Sequence, residues 1–262
     1  MNSDIFILAR LSSDRLSNKH LMDINGKPAI KNLIERLRHS KARKIVVCTT
    51  NLKSDDPLVD YLKKEQIEYF RGNDKDILIR FLNAAQHFGT DIIIDVSGDK
   101  IYTDVFYVDE IINMMENSDI DFIRGSTSNT NFDPSSHFIH GIIPGGFRIK
   151  ALEKICELKK TNNTEDGYTE FFTSNNIIKK KFIIPDIDLE FIKKIKLDLD
   201  YPEDLELARV VFKELGNNFH MQDILELYSK KPELIEITSH LIEKWKKNYN
   251  DKVSNFLLDK EN

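Results

Sequence analysis

The sequence predicts an α/β fold: a mixed, mostly parallel sheet with helices on both faces and a helical C-terminal tail. Three observations carry this. Short apolar, β-branched runs alternate with segments of helical period through the first 120 residues. The runs are continuous rather than alternating, as in strands buried on both faces. After residue 217 the pattern is helical alone.

Taken in order, "DIFILA" is a strand. "AIKNLIERLRHS" has Ile30, Leu33, Ile34 and Leu37 at helical spacing behind Pro28. "KIVVCTT" is a strand. "DDPLVDYLKKEQ" is a helix with Pro57 in its first turn. "IEYFRG" is a strand, and "DILIRFLNAAQHFG" a helix closed by Gly89. "TDIIIDVSGD" is a buried strand and "DVFYVDEIINMMENS" a helix. Beyond residue 120, "DFIRG" reads as a strand, "STSNTNFDPSSH" as a polar loop and "GIIPGGFRI" as strand, turn, strand. "KALEKICELKKT" is a helix, "TEDGYTEFFTSN" an irregular stretch, and "KKFIIPD" and "IKLDLD" strands. "YPEDLELARVVFKEL" opens the helical remainder, and residues 250–262 are expected to fray.

Composition narrows the function. Hydrophobic residues at 40% and charged residues at 31% are globular values and exclude a disordered chain. A net charge of −5 argues against nucleic acid as a partner. No apolar stretch approaches the roughly 20 residues that span a bilayer, and the N-terminus lacks a signal peptide's basic region. The two cysteines, Cys48 and Cys156, form no disulfide framework. The expectation is a cytoplasmic protein.

In a parallel sheet the ligand site lies at the carboxyl ends of the strands. Three such ends carry chemistry. The loop after the first strand, "ARLSSDRLSNKHL", holds Arg10, Ser12, Ser13, Arg15 and Lys19 but neither GxxxxGK[ST] nor GxGxxG. Cations and hydroxyls in such a loop suit phosphate oxygens; a solvated basic loop is the plainer alternative. "IIIDVSGD" delivers Asp99 behind Gly98, a small residue that lets a ligand approach. Asp99 is a candidate ligand for a hard cation, or a turn residue; Asp95 and Asp104 are weaker candidates. "KLDLDYPEDLELA" places Asp198 and Asp200 on one side of a predicted strand, with helix capping as the alternative role.

Together these segments resemble the cytidylyltransferases of the spore coat polysaccharide protein F group, related to CMP-Kdo and CMP-sialic acid synthetases. Arg10, Ser13, Arg15, Leu16, Lys19 and Gly26-Lys27-Pro28 fit the opening R-x-x-S-x-R-L-x-x-K pattern and its G-K-P helix. Arg71-Gly72, Asp76 and Arg80 match the next block, "SGDK" the metal motif, and "LDLDYPEDLELAR" the closing block. The match runs over most of residues 5–240.

The resemblance implies a Rossmann-like, GT-A-type nucleotidyltransferase domain over residues 1–216. It also implies an acceptor-binding and dimerisation insertion near 125–190, and a helical extension over 217–262. It implies CMP transfer from CTP to a sugar acid or a phosphorylated sugar or polyol, with Mg²⁺, for surface polysaccharide. The carried-over nucleotide set is Leu8, Ala9, Arg10, Ser13, Arg15, Lys19, Arg71, Asp76, Arg80 and Ser97. Lys19, Arg10 and Asp99 form the catalytic set, and Asp99 with Asp200 the metal pair. An anionic acceptor would meet Lys100, His140, Arg148 and Glu170, and relatives suggest a homodimer. The chain departs from the family at Lys100-Ile101, at "GIIPGGFRI" and at Glu170-Phe171-Phe172-Thr173. The departures keep open a catalytically inactive nucleotide-binding homologue; a GT-A-like glycosyltransferase, which shares the sheet, is the other alternative, although the D-x-D in "LDLD" lies late rather than mid-domain.

His137-x-x-His140 lacks companion ligands for zinc and is expected in a loop. Arg148 and Lys150 read mainly as a solvated strand end. Trp245 with Leu241 and Ile242 reads as a core or interface stripe.

Overall fold

Strand β1 (Ser3–Leu8) is buried along its whole length and sits mid-sheet, because both of its faces are apolar. It pairs in parallel with β4 (Ile45–Thr50) and β6 (Ile92–Ser97). Strand β5 (Tyr69–Gly72) adds in parallel outside β4. Beyond β6 the chain reverses once: β8 (Gly145–Arg148) is antiparallel to both β6 and β7 (Phe122–Gly125), and β9 (Lys180–Ile183) runs parallel to β7. The sheet is therefore mixed and mostly parallel, as predicted. The structure is a computed structural model and describes residues 1–13, 15–128, 136–165 and 167–258. In the last helix it describes side chains as far as Tyr249 and at Asp251.

Register aligns Leu8 with Cys48 and Ser97, so the central strands end at one edge. The residues alternate between two cores. Ile5 and Ile7 face one, built with α1 (Ala29–Leu37), α2 (Asp56–Lys64), α4 (Val105–Glu116), α9 (Pro202–Leu215), α10 (Met221–Lys230) and α11 (Glu233–Ser239). Phe6 and Leu8 face the other, built with α3 (Ile77–Phe88), α6 (Ile149–Leu158) and α7 (Glu170–Thr173). Helices α10 and α11, after residue 217, thus share the larger core with the sheet. The small hairpin of β2 (Asp23–Ile24) and β3 (Lys27–Pro28) turns on Asn25 and Gly26. Their φ values of 54° and 90° explain the Asn-Gly pair.

Three sequence expectations change. "GIIPGGFRI" is not strand, turn, strand: Gly141 and Ile142 end the short helix α5 (His137–Ile142), and only the second strand forms, as β8. Gly141 packs against Leu197, where a Cβ would lie 2.3 Å from the Leu197 carbonyl oxygen. "IKLDLD" joins no ladder; it bends at Asp198 and follows α8 (Leu189–Ile192) as a buried connector. In the tail, α12 (Leu241–Leu258) continues past the predicted fraying point at 250, and 259–262 lie outside the described residues.

Arg36 on α1 is 2% exposed and faces no paired carboxylate. Its guanidinium donates to the carbonyls of Asn217 (2.6 Å), Thr103 (3.1 Å) and Phe219 (3.0 Å) and lies 3.7 Å from the Phe219 ring centroid. One side chain thereby ties the C-terminal helices to the loop before α4. Arg36→Leu would strand these carbonyls and is expected to lower the unfolding free energy by about 3 kcal/mol in urea titration.

Candidate active site

The loop after β1 is far from a solvated basic turn. Leu11 and Leu16 are buried in the larger core, and the Leu11 N–H donates to Asp55 Oδ1 at 2.7 Å. Asn18 closes the loop onto the Leu11 carbonyl at 3.0 Å. The following 3-10 turn (Lys19–Leu21) thereby lands Lys19 and His20 in buried positions beside the end of β6.

There Lys19 Nζ reaches Asp99 Oδ2 at 2.7 Å and Asp200 Oδ1 at 2.8 Å. Arg15 reaches Asp200 Oδ2 at 2.8 Å. Three segments distant in sequence thus meet at one ammonium group. Burial alone would push that ammonium down, but Asp99 and Asp200 together hold it above the ordinary lysine value. Burial likewise opposes the charge on Asp99, yet Lys19 and Lys100 keep its carboxyl well below the usual range. Burial and the Lys19 charge hold His20 at about 4, so it is neutral at pH 7.

Gly98 owes its place to packing rather than to a ligand. A Cβ there would lie 2.8 Å from the Leu8 carbonyl oxygen and 2.9 Å from His20 Cε1. The Gly98 N–H in turn donates to that carbonyl at 2.7 Å, fixing Asp99 at the edge of the sheet.

Asp198 and Asp200 do not share partners, because 195–200 is no strand. Leu197 and Leu199 enter the core, and the Leu199 N–H bonds the Asp99 carbonyl at 3.0 Å. Asp200 turns to Lys19, whereas Asp198 faces Lys100 (3.2 Å), His137 Nδ1 (3.3 Å) and Lys196. The fully buried Lys196 also meets Asp204 Oδ2 at 2.5 Å, and Asp204 accepts from the backbone N–H groups of Asp200 and Tyr201. Burial lowers the His137 pKa against the pull of Asp198 and leaves the imidazole neutral.

A cavity of 520 Å³ opens at this edge, and a second of 230 Å³ adjoins it. Arg15, Ser97, Asp99, Glu165 and Tyr168 line both, so they are two chambers of one cleft. Of the sequence-derived nucleotide set, Leu8, Ala9, Arg10, Ser13, Arg15, Lys19, Arg80 and Ser97 line the larger chamber, with Asp99. Arg10 is held there by Glu165, and Arg80 by the carbonyls of Asn73 and Asp74 at 2.8 and 2.9 Å.

Arg71 and Asp76 stand apart. Arg71 braces the loop after β4 through Asp56 (2.7 Å) and the Thr50 and Leu52 carbonyls. Asp76 caps α3, accepting from the Ile79 N–H at 3.2 Å, and pairs with Lys159 at 2.5 Å.

Of the acceptor set, Lys100 and His140 line the smaller chamber. Glu170 accepts from the Tyr249 hydroxyl at 2.9 Å behind the chamber wall. Arg148 lies at the opposite edge of the sheet, paired in register with Ile92 and donating to the Ile120 and Ser118 carbonyls at 2.9 and 2.7 Å. Asp104 is an N-cap for α4, accepting from the Phe106 N–H at 2.9 Å.

His137 and His140 are buried on α5, not on a loop. Glu165, Tyr168, Arg124 and Lys196 were not singled out from sequence, since each sits in a polar or irregular stretch without a motif. Asp95 was weighed only as a weak candidate. It lies 7% exposed at the end of β6, where the Tyr168 hydroxyl contacts both of its oxygens at 3.0 and 2.8 Å.

A cationic, carboxylate-edged cleft at the carboxyl ends of parallel strands defines the chain as a nucleotidyltransferase. Residues 5–140 match the family model described as cytidylyltransferase. The chain belongs to the cytidylyltransferase family. It is 29% identical to the uncharacterized protein MJ1063 of Methanocaldococcus jannaschii, across 91% of this chain and 95% of that protein. It is 22% identical to the spore coat polysaccharide biosynthesis protein SpsF of Bacillus subtilis, across 89% and 97%. A cytidylyltransferase structure from Leptospira borgpetersenii serovar Hardjo-bovis superposes with a TM-score of 0.78 at 27% identity, covering 90% of this chain and 97% of that one. The fold is also that of CMP:2-keto-3-deoxy-manno-octonic acid synthetase complexed with CTP, with a TM-score of 0.61 at 16% identity, covering 82% and 99%. Among the described residues no helix is long and apolar enough to cross a membrane.

Two stability outcomes are expected. Lys196→Met would leave Asp198 and Asp204 buried without their shared cation, costing about 3–5 kcal/mol in chemical denaturation. Burial raises Asp95 to about 6 despite its bond from Tyr168. A carboxyl whose folded-state pKa exceeds its unfolded value loses stability as pH climbs between the two. The unfolding free energy of Asp95→Asn relative to wild type should therefore rise from pH 4 to pH 6, by up to about 2 kcal/mol.

Proposed function

We propose that the protein transfers CMP from CTP to a small anionic acceptor, a sugar acid or a phosphorylated sugar or polyol, and releases pyrophosphate. The observation that carries this is the single ammonium of Lys19 joining Asp99, which lines both chambers, to Asp200, which lines the smaller one, with Arg10 and Arg15 on the wall of the larger. Nucleotidyl transfer asks little covalent chemistry of a protein; it asks for alignment and for neutralisation of phosphate charge. Arg10, Ser13, Arg15 and Lys19 supply donors for the triphosphate. Lys19 and the arginines stabilise the charge that grows on the leaving pyrophosphate.

The carboxylates fit Mg²⁺. Asp99 and Asp200 converge within hydrogen-bond reach of one point, and Asp99 Oδ1 is buried without a hydrogen-bond partner. Mg²⁺ is commonly held by one or two carboxylates together with substrate phosphates. This suits a pair standing where the described residues offer no three-ligand cluster. When bound, the ion would neutralise and polarise the phosphate oxygens.

The proposed setting is surface-polysaccharide synthesis in the cytoplasm, by analogy with the relative named for spore coat polysaccharide. The proposed assembly is a homodimer through the 125–190 insertion of a 1–216 catalytic domain. Sedimentation of the full chain tests that assembly.

Asp99→Asn should abolish CTP-dependent pyrophosphate release while leaving the melting curve cooperative. Lys19→Met should cut kcat by about 10²–10³. Near-normal turnover in Asp99→Asn would remove the metal assignment. A nucleotide sugar replacing CTP as donor would instead favour the glycosyltransferase reading.

A further inference from the structure

The smaller chamber has a wall that the family-matched segment does not supply. Helix α12 contributes Trp245 and Tyr249, whose rings stack at 4.9 Å with 13° between planes. His137 meets Trp245 edge to face at 4.4 Å and 81°. The neutral His137 ring lies with Nδ1 3.3 Å from Asp198. The carboxylate there fixes the proton on Nδ1 and leaves Nε2 as an acceptor. Among the described residues that Nε2 is buried with no partner, in a side chain only 2% exposed that lines the chamber. An unsatisfied buried acceptor calls for a donor from a ligand, and neither a carboxylate nor a phosphate dianion has one to give. A hydroxyl does. Lys100 and Arg124 line the same chamber and supply positive charge. Its 230 Å³ lies below the roughly 300–1,000 Å³ of drug-sized pockets, which suits one small unit rather than a chain end.

Building on the cytidylyltransferase reading, we infer that this chamber takes a single sugar ring bearing one anionic group. The ring lies on Trp245, a hydroxyl donates to His137 Nε2, and the anionic group meets Lys100 and Arg124. Helix α12 is therefore part of the acceptor site and a determinant of its specificity.

Trp245 is the chain's single tryptophan, so tryptophan emission excited selectively over the eight tyrosines reports on this chamber. The full-length protein with Mg²⁺ and CTP would be titrated separately with 3-deoxy-manno-octulosonate, glucose 1-phosphate and glycerol 3-phosphate. A saturable emission change with either ring-bearing probe, larger than with the ringless one, is expected; which probe acts tells carboxylate from phosphate. No change with any probe, or a response to glycerol 3-phosphate alone, overturns the inference. For the probe that responds, Trp245→Leu should raise its KM about tenfold with the CTP KM within twofold of wild type. A parallel rise in both constants, or none, overturns it. Thermal stabilisation by CTP separates the two readings. Stabilisation with a silent Trp245 removes the chamber assignment alone. A responsive Trp245 without CTP stabilisation leaves the sugar chamber and removes the cytidylyl donor.

Discussion

The cleft depends on one buried ammonium. Lys19 sits between Asp99 and Asp200, and the three come from segments far apart in sequence. Two carboxylates this buried repel one another and lose their hydration; a lysine between them offsets both costs. The supports behind each are structural. Leu11 and Leu16 anchor the loop that bears Lys19. Gly98 lets Asp99 sit under the Leu8 carbonyl. Lys196 and Asp204 hold the connector that carries Asp200. The cost of assembling charge is thus spread through the core rather than borne at the surface.

A second charged set lies beside the first. Asp198, Lys100, Lys196 and His137 meet next to Asp99 and Asp200 but bond among themselves. This gives Lys100, the residue at which the chain departs from its family's metal motif, a defined place. It neutralises Asp198 and helps hold the Asp99 carboxyl in its charged form. The cleft is therefore divided electrostatically. Arg15 and Asp99 line both chambers, whereas Asp198, Lys100 and His137 line only the smaller one.

Much of this was legible in the sequence, and the parts that were not have physical reasons. The parallel core was readable because β1, β4 and β6 are apolar on both faces, a pattern that only a covered sheet produces. The phosphate loop and the two aspartates were readable because each follows an apolar run at a strand end. "IKLDLD" misled because alternation of leucine and aspartate fits an extended chain whether or not a neighbour completes a ladder. Only the tertiary position shows that the Asp99 carbonyl takes the Leu199 N–H. Trp245 was legible as buried hydrophobic area, but not as a chamber wall, because its partner His137 lies over a hundred residues away. Arg71, Asp76 and Arg148 illustrate the converse: a charged residue near a strand end can serve packing and capping alone.

The lone reversed strand has a further consequence. β8 enters beside Asp95 at the ligand edge and leaves beside Ile92 at the far one. The segment before it, α5, therefore abuts the cleft, whereas α6 after it is carried away into the second core. The half of the cleft built on β1 and β6 takes most of its lining from the first hundred residues, with Glu165, Tyr168 and α12 completing it. The other half comes from α5, the 165–169 loop and α12. The two chambers thus share a border: a change in α12 or in the 165–169 loop is felt in both, and neither can be reshaped in isolation.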